Sequence, residues 1–368
     1  MNEEKLFGIG ALLTCFTIAS FFLSHIQADI HSDNYDIKLD PLVGVLVSML
    51  IGGLGVYFFF PDYFDNIKDY GVLDFILPFV FAVIIYFFYM LDVAILTNIV
   101  ILLCAFGMTF LLPSDFNLFQ GYLNDWQNKL AIIFIMFVIT KGLSLLNGLG
   151  GVGALQFMTV MIVSICLVLL GIAPHILGFV AMAYIGAMLA FLFYSWPPEK
   201  LIITTGGFAS IGFILACFML NMSAECAEAP MFIACSYLFT ETGVVLYNRY
   251  IMNEKEEYSF MNTSYYKLSN YGEHELFIVK GLLKIFVANI LLALLQTSSQ
   301  ERIALPVFSV AINFWILSII SGKTSPTEVL SITRTSFRTL SKLLKNNKKD
   351  KTKNTESPKG RRSKAKKD

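Results

Sequence analysis

The sequence predicts an all-α polytopic membrane protein of about eleven transmembrane helices, N-terminus outside and C-terminus cytoplasmic. Three observations predict it. The 368 residues are 56% hydrophobic and only 15% charged, with a mean hydropathy of +0.66, whereas about a quarter of a soluble domain is charged. The apolar residues fall in runs near the length that a helix needs to cross a hydrocarbon core. And fifteen of the 27 Lys and Arg residues lie beyond Gly322, so a formal charge of zero conceals a basic tail. The 34 Phe and 16 Tyr suit lipid contact and interfacial belts.

Taken in order, the runs predict spans at 6–24, 42–60, 73–91, 94–112, 129–147, 154–172, 175–195, 203–221, 230–248, 276–296 and 304–321. The first begins with Glu3 and Glu4 and lacks a small-residue cleavage site, which marks a retained helix rather than a signal peptide. An odd number of crossings puts the termini on opposite faces. Lys/Arg-rich segments stay in the cytoplasm, so the tail fixes the C-terminus there. The loops at 25–41, 91–94, 148–153, 196–203 and 249–275 then face the cytoplasm. Outside the tail the bias is mild: Lys38, Lys200, Arg249, Lys255 and Lys267 inside, against Lys5, Lys68, Lys129 and Arg302 outside. Asp92 stands where the third run turns into the fourth with almost no loop, at the tip of a helical hairpin.

Three regions follow: a transmembrane domain over 1–322, a basic amphipathic helix over 323–345 and a disordered basic tail over 346–368. In the second, Val329, Ile332, Phe337, Leu340 and Leu344 lie near one face and Arg334, Arg338, Lys342 and Lys345 on another, a pattern suited to an anionic leaflet. The tail has no apolar partner residues and is a solvated, topology-setting end, not a nucleic-acid binder. The six cysteines show no CxxC spacing and are packing residues; Cys226 and Cys235 flank a short loop where a disulfide stays open. His25, His31, His175 and His274 make no metal spacing, so none is assigned to a metal.

Two turns rich in Gly or Pro come to the cytoplasmic side. One is K-G-L-S-L-L-N-G-L-G-G-V-G-A, Lys141 to Ala154; the other is W-P-P-E-K-L-I-I-T-T-G-G-F-A-S-I-G, Trp196 to Gly212. Both are nearly free of acids. Glu241 lies inside the ninth span, where an ionisable group is costly and by default functional: either it is paired in the interior, with Lys141, or it lines a ligand cavity.

In order and spacing these features resemble the polyprenyl-phosphate N-acetylhexosamine-1-phosphate transferases, which move a UDP-linked sugar phosphate onto undecaprenyl phosphate. In that family a paired Asp ends the third helix. An N-x-x-D-G-x-D-G turn follows the fifth, a P-A-K-x-F-M-G-D-T-G-S-x-x-x-G turn opens the eighth, and a His-rich loop follows the ninth. Here Ser144, Asn147, Gly148, Gly150 and Gly151 stand on the first turn, keeping glycines and losing both carboxylates and the leading Asn. Pro198, Lys200, Thr205, Gly207 and Gly212 match the second, with Gly206 beside them and Thr205 in place of the Asp that would ligate Mg²⁺. Asp92 and Val93 stand at the paired Asp, Thr263, Tyr265 and Tyr266 where the histidines would be, and Glu241-Thr242 and Arg249 at the family's acid-Thr pair and closing Arg.

The chemistry explains why these losses matter. Displacing UMP by a lipid phosphate brings two anionic phosphates together, and Mg²⁺ held by carboxylates must bridge them. Thr and Asn are weak Mg²⁺ ligands and Gly offers no side chain. The resemblance therefore implies the transferase fold in a bacterial inner membrane with a degenerate site: a pseudoenzyme that binds a polyprenyl-phosphate lipid, with no predicted cofactor. It pairs as a homodimer or with an active cell-envelope glycolipid enzyme. Lys200, Gly206 and Gly207 are the substrate-binding candidates; Lys200 is otherwise an interfacial anchor, and Tyr265 and Tyr266 stack on a base or sit at the interface. The alternative is an active divergent transferase that uses Asp92 and Glu241 for Mg²⁺, Asp92 otherwise being a helix-end residue facing water. A third reading, a lipid transporter or flippase, requires discontinuous helices and midplane ionisable groups, for which Glu241 is thin support.

Overall fold

In a bilayer, an apolar segment can satisfy its backbone N–H and C=O groups only within itself, and each run accordingly forms a helix. The computed structural model describes residues 3–31, 40–59, 72–113, 116–118, 123–146, 151–197, 201–225, 228–246, 275–297 and 304–320. Among them are α1 (Glu3–His31), α2 (Leu42–Phe59), α3 (Val72–Met90), α4 (Ala94–Met108), α5 (Asp125–Leu145) and α6 (Val152–Leu169), then α7 (His175–Ser195), α8 (Thr205–Glu225), α9 (Glu228–Ala234), α10 (Ser236–Leu246), α11 (Glu275–Gln296) and α12 (Ala304–Ile320). The described residues contain no strand. The chain divides into two units after Ile316, and of the second only residues 317–320 are described. The predicted amphipathic helix and basic tail lie outside the described residues.

Each predicted span meets a helix, with informative differences. α5 starts at Asp125 rather than 129, because the Asn124 N–H donates to Gln127 Oε1 (3.1 Å) in a capping box. Asn128 then ties residues 116–118 to the helix: it accepts from the Leu118 N–H (2.8 Å) and donates to the Phe116 carbonyl (2.7 Å). α6 starts behind Gly151, whose φ of 80° suits glycine. The ninth span is not one straight helix but α9 and α10, bent by 55° at Cys235. At the bend, side chains take two carbonyls: Ser236 Oγ donates to Ile233 O (2.6 Å) and Gln156 Nε2 to Ala234 O (3.0 Å). A side chain inserted into the helical ladder is a sufficient cause of a kink.

α7 and α8 hold the centre. α1, α2 and α6 pack on α7, α3 and α5 on α8, and α11 on α6 and α9, while α4 packs on α3 and α5. Small residues set the close approaches, as expected where association depends on packing rather than on exclusion from water. A Cβ on Gly52 would meet Cys15 Sγ and Ala183, one on Gly153 the Phe208 ring, and one on Gly186 the Leu12 carbonyl oxygen. Outward faces stay apolar: Val83, Phe87, Ile95, Ile99, Leu103 and Phe106 are all exposed.

α12 is attached differently. Its large apolar side chains Val307, Phe308, Phe314 and Trp315 are exposed, and its buried residues Ser309 and Asn313, one turn apart, are polar. Ser309 Oγ lies 2.5 Å from Ser236 Oγ and 3.3 Å from Asn289 Oδ1, and Asn313 Nδ2 donates to Ser236 Oγ (2.7 Å). A buried polar cluster thus joins α12 and α11 to the start of α10.

Six described helices are long and apolar enough to cross a membrane, or seven if the bent pair is one span; Leu42–Phe58, Ile76–Met90, Ala94–Met108 and Leu305–Trp315 are apolar but shorter.

Candidate functional site

The two glycine turns meet at one end of the bundle. A Cβ on Gly151, ahead of α6, would lie 2.8 Å from Leu192 Cδ1 and 3.7 Å from Ser195 Oγ, at the end of α7. After Pro197 the chain folds back on the same end, with the Leu201 N–H donating to the Tyr194 carbonyl (3.3 Å), and Thr204 then caps α8 by accepting from the Gly207 N–H (3.1 Å).

The organising residue at this end is Asp40, which the sequence reading passed over. Asp40-Pro41 ahead of an apolar run is a helix-start signal, Pro being favoured at the first helical position. Its carboxylate accepts three hydrogen bonds: from the Leu42 N–H (2.9 Å), the Tyr86 hydroxyl (3.1 Å) and the Thr204 hydroxyl (2.6 Å). One side chain therefore ties the starts of α2 and α8 to the last turns of α3.

One turn beyond Tyr86, Tyr89 receives a hydrogen bond on its hydroxyl from Lys141 Nζ (2.9 Å), and the ammonium stands 4.7 Å from the Tyr89 ring centroid. Of the two readings of Glu241, pairing with Lys141 is therefore corrected: α10 does pack on this end of α5, where a Cβ on Gly142 would lie 2.6 Å from Thr242 Oγ1, but Lys141 takes the hydroxyl and the π face of Tyr89 instead. Gly206 packs against both tyrosines, since its Cβ would lie 2.7 Å from Tyr89 Cβ and 3.6 Å from Tyr86 Cδ2.

The other candidates are spread around this core. Asp92 is exposed in the α3–α4 turn with a left-handed φ of 52°, a conformation Asp tolerates, and its N–H donates to the Tyr89 carbonyl (3.1 Å). Thr205 is exposed at the start of α8, with Gly206 and Gly207 buried behind it. Ser144 is buried and donates to the Lys141 carbonyl (2.6 Å), so its hydroxyl turns onto its own helix. Glu241 is buried in α10, only 1% exposed. Asn147, Gly150, Lys200, Thr263, Tyr265 and Tyr266 lie outside the described residues.

What this end offers chemically is a half-buried ammonium held by a tyrosine, a carboxylate already serving three donors, and the first turn of α8. Among the described residues no three His, Cys, Asp or Glu side chains come together as they would around a metal ion.

The fold and this end define an all-helical, multi-pass membrane protein. No family model and no curated protein matches the sequence.

Proposed function

We propose that this is a catalytically silent relative of the sugar-phosphate transferases, which binds a polyprenyl phosphate at the cytoplasmic end of its bundle and acts as a lipid-binding or regulatory partner in cell-envelope glycolipid synthesis. In this reading there are eleven crossings, the Asp40–Tyr89–Lys141 end faces the cytoplasm and the membrane is the bacterial inner membrane. One observation carries it: the glycine turns that the resemblance places at the nucleotide-sugar site converge at one end, while the one turn-acid position among the described residues carries a neutral side chain. Thr205 opens α8 where a metal-ligating Asp would stand, and Ser144, at the leading Asn of the first turn, bonds back to its own helix. The reading requires no cofactor.

Purified protein in nanodiscs is expected to bind undecaprenyl phosphate at least about tenfold more tightly than undecaprenol, the worth of one charge-assisted contact. Native mass spectrometry of the loaded protein measures the ratio. Equal binding of the two lipids removes the proposal.

A second reading, lipid translocation, is favoured by the bend at Cys235 and the buried Glu241 on the same bent span, since discontinuous helices and interior ionisable groups mark transport sites. Reconstituted liposomes separate the two: transfer of fluorescent polyprenyl phosphate between leaflets, abolished in Glu241→Gln, would establish translocation, and binding without transfer supports the first reading.

A further inference from the structure

We propose that Lys141 is the residue that grips the phosphate of the bound lipid, in a slot between α3 and α5 whose far wall is the Tyr86–Tyr89 pair; the inference rests on the lipid-binding reading above. α3 and α5 each pack on α8 toward the core and on α4 toward the lipid, and the Lys141–Tyr89 contact reaches across between them. Lys141 lies one turn from the end of a 21-residue apolar helix, a depth from which a lysine ordinarily extends its charge into the interfacial water. Here it does not simply do so. It is half-buried, and its partners among the described residues are the hydroxyl and the ring of one tyrosine, both neutral.

An ammonium has three N–H donors and no acceptor. One is taken by Tyr89, which leaves two, and among the described residues no carboxylate is bonded to this half-buried charge. The complementary ligand is a phosphate monoester, compact and doubly anionic, with its alkyl chain left in the lipid. Tyr89 holds the ammonium in position rather than neutralising it. The Asp40 carboxylate is already engaged, accepting from Leu42, Tyr86 and Thr204. Gly206, pressed on Tyr89, brings the positive end of the α8 dipole to the same wall and adds to the field.

The test is undecaprenyl phosphate binding by the full-length protein in nanodiscs, with undecaprenol and inorganic phosphate as parallel ligands. Lys141→Gln is expected to weaken undecaprenyl phosphate at least about tenfold while leaving undecaprenol unchanged. Lys141→Arg is expected to stay within about threefold of the wild type, because the charge is kept. Wild-type affinity in Lys141→Gln overturns the assignment and leaves the lipid-binding reading standing. Equal loss in Lys141→Gln and Lys141→Arg also overturns it, since charge is then not what matters. A wild type that does not distinguish the phosphate lipid from undecaprenol overturns the assignment and the reading together. Inorganic phosphate binding as tightly as the lipid would make a free anion, not the lipid headgroup, the ligand and would overturn the lipid assignment; displacement only at far higher concentration supports it.

Discussion

Gly186→Ala is expected to lower stability by about 3 kcal/mol, through loss of the seat that α7 provides for α1. Within a helix this substitution ordinarily stabilises, by roughly 1 kcal/mol, so the expected sign is opposite to intrinsic propensity. The reason lies in the crossing. The added Cβ would overlap the Leu12 carbonyl oxygen and lie 3.0 Å from the Leu12 carbonyl carbon and 3.1 Å from the Phe16 nitrogen. All three are main-chain atoms, so no rotamer change relieves the clash and α1 must move bodily. Cys15, Ala19 and Leu23, buried without exposure, are on the helix that would be displaced. Gly10→Ala is the internal control, because nothing lies within 4 Å of its Cβ position; it is expected to be neutral or mildly stabilising. Thermal unfolding of the two variants in one detergent measures the contrast, and equal midpoints would refute the close approach.

Ser236→Ala is expected to cost about 2 kcal/mol and to loosen α12. Hydrogen bonds between membrane helices average near 0.6 kcal/mol, with a maximum of about 1.7, and this hydroxyl serves several partners. It donates to the Ile233 carbonyl (2.6 Å) at the bend, accepts from Asn313 (2.7 Å) and lies 2.5 Å from Ser309 Oγ. Alanine leaves the buried Asn313 amide with its partner gone and Ser309 with only the longer bond to Asn289 (3.3 Å), and a stranded buried group costs more than its bond was worth. Adding Asn313→Leu to Ser236→Ala should therefore restore part of the loss, because a stranded amide is replaced by an apolar side chain. A double-mutant cycle on the unfolding midpoint reads the coupling. Strictly additive effects would show that the cluster does not act as a unit.

What could be read in the sequence, and what could not, divides along the range of the interactions. Helix positions follow from runs of apolar residues, a local property, and the eleven predicted runs meet described helices. The early start of α5 was also local: Asn124 and Gln127 form a capping box that a search for apolar residues alone overlooks. The bend at Cys235 was not visible, because Phe232 to Ser236 contains neither Pro nor Gly. One of its props is Gln156, 78 residues away.

The same holds at the candidate site. Asp40-Pro41 announces the start of α2, yet nothing near it announces Tyr86 or Thr204, which are 46 and 164 residues distant. Lys141 and Glu241 are charges inside apolar runs, as are Lys280 and Lys284, and pairing the first two neglected a tyrosine, which holds a lysine without appearing charged in a sequence. Spacing suggested that the glycine turns lie on one side; only the packing of Gly151 on Leu192 and of Gly206 on Tyr89 brings them to one end.

The most direct measurement is the release of UMP from a UDP-N-acetylhexosamine by purified protein supplied with undecaprenyl phosphate and Mg²⁺. A silent site predicts release no faster than in a protein-free control, under conditions where undecaprenyl phosphate is bound. Mg²⁺-dependent release that disappears in Asp92→Asn would contradict it and make the chain a working transferase.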